Sequence, residues 1–221
     1  MPVRDKITKE KIIYAFLDSC FEKNAGGTSL ADIATRLGIK KASLYNHYES
    51  RDAIVSDTIR WCGECMSKNR FIPAEIGQLT KQHSASAVVR ALTVRWIKLN
   101  MQKPLFQIYS FIESEKFISN DAAKVSDENK NRLLRQGQIM FKSLADNGKI
   151  IDASDAELQR FASILANIIN AQLEAYIIGR KVEMRNNPET GIGELFATPL
   201  PELNFDYLSV VLDTLCSFLK K

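Results

Sequence analysis

The 221-residue chain is 45% hydrophobic and 25% charged, with a formal net charge of +4. That leaves room for a small domain plus a larger one and gives a mild preference for an anionic partner. The opening MPVRDKITKE is charged and no run of eighteen apolar residues occurs, so neither a secretory signal nor a membrane span is expected. Four cysteines without a signal point to free thiols in a reducing cytoplasm.

Thr8 is placed to cap a first helix with the apolar stripe Ile12, Ile13, Phe16, Leu17, Cys20 and Phe21, ended by Asn24, Gly26 and Gly27. Thr28 and Ser29 can cap a second helix, whose Ile33, Ala34 and Leu37 share one face. Gly38 follows, where a helix end favours left-handed dihedrals, and Ile39 plugs the turn. A further helix of about two turns is expected from near Lys41 to His47, with Ala42 and Leu44 inward. Ser50 then caps a helix from Arg51 to about Lys68. Helix, short Gly turn, helix is the geometry of a helix-turn-helix, whose second helix enters the DNA major groove.

Ile72-Pro73 stops the helix begun at Arg51, and residues 73 to 83 read as a connection. Helical period resumes at Ala85, Val88, Val89, Leu92, Trp96 and Leu99. Pro104 fits the first turn of an aromatic helix through Phe106, Tyr109, Phe111 and Phe117. Asp121 is a candidate cap for a helix ended by Asn147-Gly148. Ser154 and Glu157 form a capping box for a long helix, and Pro and Gly mark a loop over 185 to 203. A last helix spans about Asp206 to Leu219. With no strand pattern or repeat, the fold class expected is all-α.

DNA binding requires cations and donors for phosphates and side chains that reach base edges. The exposed face expected for the segment after Gly38 offers Lys40, Lys41, Ser43, Tyr45, Asn46 and His47. Lys41 can donate to guanine acceptors and Asn46 can pair with adenine. Taken singly, Tyr45 and His47 read as packed or surface residues and Lys40-Lys41 as a solvated face; their embedding in the motif is what points to DNA.

The pattern T-S-x-x-x-I-A, L-G-I, A-S-L-Y-x-H-Y-x-S-R-D resembles the DNA-binding domain of the TetR family of bacterial transcriptional regulators, over roughly residues 8 to 60. Lys40 departs from the small hydroxyl residue usual there, and Arg51 from the usual Lys. The resemblance implies DNA contacts by Lys41, Ser43, Tyr45 and His47, and phosphate contacts by Thr28 and Arg51 at helix N-termini. The basic residue frequent at the position of Ala31 is missing, and Asp32 and Glu49 lie near the implied phosphate path. A shallow salt dependence of DNA binding is therefore expected. The implied organisation is a helix-turn-helix domain over residues 1–52 and a helical ligand-binding and dimerisation domain over 53–221.

Trp61, Cys65, Trp96, Phe106, Tyr109, Met140, Phe141 and Phe161 are candidates to line an apolar effector pocket, although aromatics at helical spacing are more often plain core. Leu165, Ile169, Leu173, Tyr176, Leu208, Val211, Leu212 and Leu215 form stripes that one chain would not easily bury alone. The resemblance implies that these two helices pair with a second copy. Cys62 and Cys65 lie one turn apart and allow a thiol switch as an alternative input; with no further CxxC pair or His cluster, a closed zinc site is not expected. No phosphate-cradling Gly loop, GxSxG or HExxH occurs, so neither an enzyme nor a cofactor is expected. The reading is a homodimeric repressor, released from a double-stranded, palindromic operator by a small, largely apolar effector. The competing class is a helical binding protein or enzyme whose DNA domain no longer works.

Overall fold

The computed structural model describes residues 6–186 and 203–219. Most of the expected 185–203 loop lies outside the described residues. The described elements are helical: α1 Lys9–Gly27, α2 Leu30–Arg36, a 3₁₀ segment Lys41–Asn46, α3 Arg51–Lys68, α4 Ile76–Gln82, α5 Ala85–Asn100, α6 Leu105–Glu115, α7 Asn120–Asp146, α8 Asp155–Asn186 and α9 Phe205–Ser217. They form two compact units. The first takes the described residues up to Met66 together with Lys103–Asp127; the second takes Ser67–Gln102 and the described residues from Glu128 on. These units divide the chain differently from a boundary after residue 52, because α3 and α6 pack with the N-terminal helices.

In the first unit α1 is the platform. Thr8 caps it by accepting the amide of Lys11 at 3.2 Å. Its buried face meets α6 through two edge-to-face aromatic pairs, Phe16–Phe111 at 5.7 Å and Phe21–Phe106 at 5.0 Å between ring centroids. Asn24 adopts φ 66° and turns the chain out of the helix, its side chain accepting the amide of Gly27 at 2.8 Å. α6 stops at Glu115, so Phe117, expected within that helix, lies past its end and is 81% exposed. α7 is capped by Ser119, which accepts the amide of Ala122 at 3.3 Å, rather than by Asp121.

In the second unit α5 packs on α8 and α9. Phe71 meets Trp96, and Phe141 meets Phe161, at 6.0 and 6.2 Å between centroids. The connection expected over 73 to 83 contains the short helix α4. Gly148 closes α7 at φ 65°, with Lys149 donating to the carbonyl of Leu144 at 2.9 Å. The Ser154–Glu157 box caps α8: Glu157 accepts the backbone amide of Ser154 at 2.8 Å and its hydroxyl at 2.7 Å, which holds the carboxyl below the ordinary range. Length and composition alone would let α8 cross a bilayer, but its stripe from Leu158 to Tyr176 lies in the core of this unit.

Candidate nucleic-acid interface

The first unit builds a helix-turn-helix from local rules. Ser29 caps α2 in a reciprocal box with Asp32: its hydroxyl accepts the Asp32 amide at 3.2 Å and Asp32 accepts the Ser29 amide at 2.8 Å. Bonds from Lys23 at 2.6 Å and from Ser29 hold the Asp32 carboxyl far below its usual range. Gly38 takes φ 63°, and Ile39 donates to the carbonyl of Ala34 at 3.0 Å, completing a Schellman end to α2. Only a residue without a Cβ adopts that backbone cheaply; no neighbour approaches within 4 Å of where a side chain would start.

The segment that follows differs in winding from the expected α-helix. Lys41–Asn46 is 3₁₀, with Ser43 donating to the carbonyl of Lys40 at 2.9 Å. Six residues still make two turns, at three residues per turn. Lys40 provides no side-chain cap, and i to i+3 bonds close the first amides of the segment. Leu44 is buried and pins the segment, contributing about 2 kcal/mol. Ala42, expected inward, is exposed.

Tyr48 is the second anchor, one that sequence reading left without a role. It is buried, and its hydroxyl donates to Asp57 of α3 at 2.6 Å, while the Lys9 ammonium lies 4.9 Å from its ring centre. Burial, then the bond to Asp57, raises its phenol. Burial also pushes Asp57 up, but bonds from Tyr48 and Arg60 outweigh it and the carboxyl is lowered. The signal was present in the second Tyr of Y-x-H-Y, three residues after Tyr45.

Lys40, Lys41, Tyr45 and Asn46 are exposed, and Ser43 and His47 half-buried. Tyr45 keeps 53% of its surface. None of these six side chains hydrogen-bonds to another described residue. The structure therefore gathers them on one short, anchored segment with their polar atoms available.

Thr28 and Arg51 belong elsewhere. Thr28 is 1% exposed and its hydroxyl donates to the carbonyl of Asn24 at 2.8 Å. Arg51 donates through Nε to the carbonyl of Thr28 at 2.8 Å and through a terminal nitrogen to that of Ala25. Both were expected at phosphates; instead they close the α1–α2 turn onto the start of α3. Glu115 is buried nearby: burial raises its carboxyl and Arg51 pulls it back. Ser50 caps α3 as expected, accepting the amide of Ala53 at 3.1 Å.

Arg51→Ala removes two charge-assisted bonds, each contributing about 1.5–3 kcal/mol where well formed. The expected result is a fall of about 2 kcal/mol or more in stability, read by thermal melting, with Arg51→Lys recovering only part because an ammonium lacks the fork that spans two carbonyls. Unchanged stability in both variants would show that these bonds do not hold the turn.

The eight candidate pocket residues divide between the units. Trp61, Cys65, Phe106 and Tyr109 lie in the first, where Trp61 stacks edge-on against Tyr14 at 5.2 Å. Trp96, Met140, Phe141 and Phe161 lie in the second. Cys62 is fully buried, and burial, with Cys65 and Cys20 nearby, pushes its thiol well up. That disfavours the thiolate a redox switch needs.

The residues expected to pair two copies are also placed inward. Leu165, Ile169, Leu173, Tyr176, Leu208, Leu212 and Leu215 are buried in the second unit's own core, and Val211 is half-buried. A different stripe faces out on α8: Ile164, Ile168, Ala171, Ala175, Ile178 and Val182, at alternating steps of four and three. Ile164 and Val182 keep 46% and Ile178 55% of their surface. On α9, Tyr207, Val210 and Phe218 are exposed.

Residues 18–58 match the family model of bacterial regulatory proteins, tetR family. The HTH-type negative transcriptional regulator IcaR of the biofilm operon icaADBC, from Staphylococcus aureus strain Newman, is 29% identical over 142 residues, covering 58% of this chain and 74% of that protein. A TetR transcription regulator from Haloarcula marismortui shares the fold at a TM-score of 0.63 and 11% identity, over 96% of this chain and 98% of that one. The transcriptional regulator FadR from Bacillus subtilis, solved with stearoyl-CoA, does so at 0.57 and 12%, over 95% and 98%.

Proposed function

We propose that this chain, which belongs to the TetR family of bacterial transcriptional regulators, is a cytoplasmic repressor that binds a palindromic operator as a homodimer and is released by a small, largely apolar effector. It is a regulator, not an enzyme. The observation that carries the reading is the anchored segment after Gly38. Lys40, Lys41, Ser43, Tyr45, Asn46 and His47 reach out from it without partners among the described residues, while Leu44 and Tyr48 hold it from beneath. Lys41 and Asn46 have the chemistry to read guanine and adenine edges; Lys40, Ser43 and the Tyr45 hydroxyl can also meet phosphates.

Repression is supported by the likeness to IcaR, a negative regulator. A second copy is supported by the exposed stripe on α8, which pairs with its own image about a two-fold axis. Such a dimer presents two recognition segments to half-sites about one DNA turn, or a multiple, apart. The effector class is supported by the stearoyl-CoA found in FadR, which shares the fold. An effector that prefers the DNA-incompetent state lowers operator affinity in proportion to that preference.

Selection of bound duplexes from a random-sequence library tests the whole reading. The expected product is an inverted repeat, its half-sites separated by about one helical turn or a multiple. Addition of long-chain acyl thioesters or other apolar compounds to the bound duplex is expected to release it for at least one class. A library that shows no enrichment removes the function.

A further inference from the structure

We propose that a basic groove beside the Gly38 turn extends the DNA interface beyond the recognition segment, as a phosphate-binding site for the operator duplex held by Lys6 and Lys11 next to Lys40. The inference rests on the DNA-binding reading above. The groove has a volume of about 880 Å³, and its described lining carries four cations, Lys6, Lys11, Arg36 and Lys40, and no carboxylate. Arg36 contributes wall more than charge: its Nε donates to Ser19 at 2.7 Å and its guanidinium pairs with Glu22. Lys11 donates to the carbonyl of Lys6 at 3.2 Å, which holds the segment before α1 against the start of α1. Lys6 and Lys40 are exposed.

The occupant follows from the position. Lys40 and Ser43 line the groove and also belong to the segment proposed to enter the major groove. A duplex seated there carries one phosphate charge per roughly 1.7 Å of axis, so one of its backbones borders the same residues. Lysines act on phosphate as point charges and do not read base edges from this place. The groove also answers the missing base at Ala31: charge absent from the start of α2 is supplied from before and within α1. The shallow salt dependence expected from the sequence therefore becomes a steeper one.

The test uses the full-length protein on a duplex selected from the random library and on its scrambled counterpart, with affinity measured across a KCl series. Each lysine contact removed is expected to flatten the slope of log affinity against log salt by about 0.9. Because a homodimer carries each lysine twice, Lys6→Ala/Lys11→Ala should therefore lose about 3.6 in slope, equally on both duplexes, leaving the specificity ratio unchanged. Lys6→Ala alone, at an exposed position, should lose about 1.8, and Lys6→Arg should restore it. Tyr45→Ala should reduce the specificity ratio instead. A wild-type slope in Lys6→Ala and in the double variant overturns this proposal alone, as does a loss seen only on the selected duplex. Absence of wild-type binding to any duplex overturns the DNA-binding reading together with it.

Discussion

Lys41→Ala/Tyr45→Ala is expected to weaken binding by about 30- to 20,000-fold per half-site, the product of two contacts worth roughly 1–3 kcal/mol each. The melting temperature should move by no more than about 2 °C, since exposed substitutions usually lie within about 0.5 kcal/mol. The separation of the two effects follows from the structure. Both side chains are exposed and neither hydrogen-bonds to another described residue, whereas Leu44 and Tyr48 carry the packing of the same segment. Loss of base contacts should also flatten discrimination between the selected duplex and its point variants, which a purely electrostatic role would leave intact. Fluorescence anisotropy on the labelled duplex and thermal melting of the same preparations measure both quantities. Full operator affinity in the double variant would show that the segment does not read DNA.

What the sequence disclosed and what it hid divide along a physical line. The Gly38 turn, the Ser50 cap and the Ser154–Glu157 box were legible because each is decided within a few residues by dihedral preference or by a short side-chain bond. The 3₁₀ winding of Lys41–Asn46 was not legible: Lys40 offers no hydroxyl cap, but α4 and α6 also begin without a side-chain cap and are α-helical. The structural bonds of Arg51 were hidden because its partners, the carbonyls of Ala25 and Thr28, lie 26 and 23 residues back along the chain. A cation at a helix N-terminus looks the same in sequence whether it holds a phosphate or a carbonyl. The basic groove was hidden for the same reason, since Lys6 and Lys40 come to line one groove only after α1 and α2 fold across each other. The dimer stripe was misread because periodicity reports that a helix is apolar on two sides, not which side its own chain takes. Leu165, Ile169 and Leu173 are the larger and more regular set, and the monomer's core takes them; the Ile and Ala positions between them are left outside.

Ile164→Glu/Ile178→Glu is expected to convert the protein to a monomer and to lower operator affinity by about 10²- to 10⁴-fold, the gain that linking two half-site readers normally provides. An isologous interface meets each residue twice, so the double substitution places four carboxylates on facing helices where apolar surface had been buried. Leaving them ionised and unpaired there is far costlier than leaving them in water, and the free monomer, in which both positions are already half open to solvent, stays folded. That last point distinguishes this stripe from the buried one: Leu165→Glu would place a charge in the core of the second unit and is expected to unfold it. Sedimentation velocity reports the mass, and circular dichroism the retained helix. Operator binding should become both weaker and first order in protein on a single half-site. A variant that still sediments as a dimer and binds the full operator as before would locate the two-fold axis on another surface, with the exposed Tyr207, Val210 and Phe218 of α9 next in line as its centre.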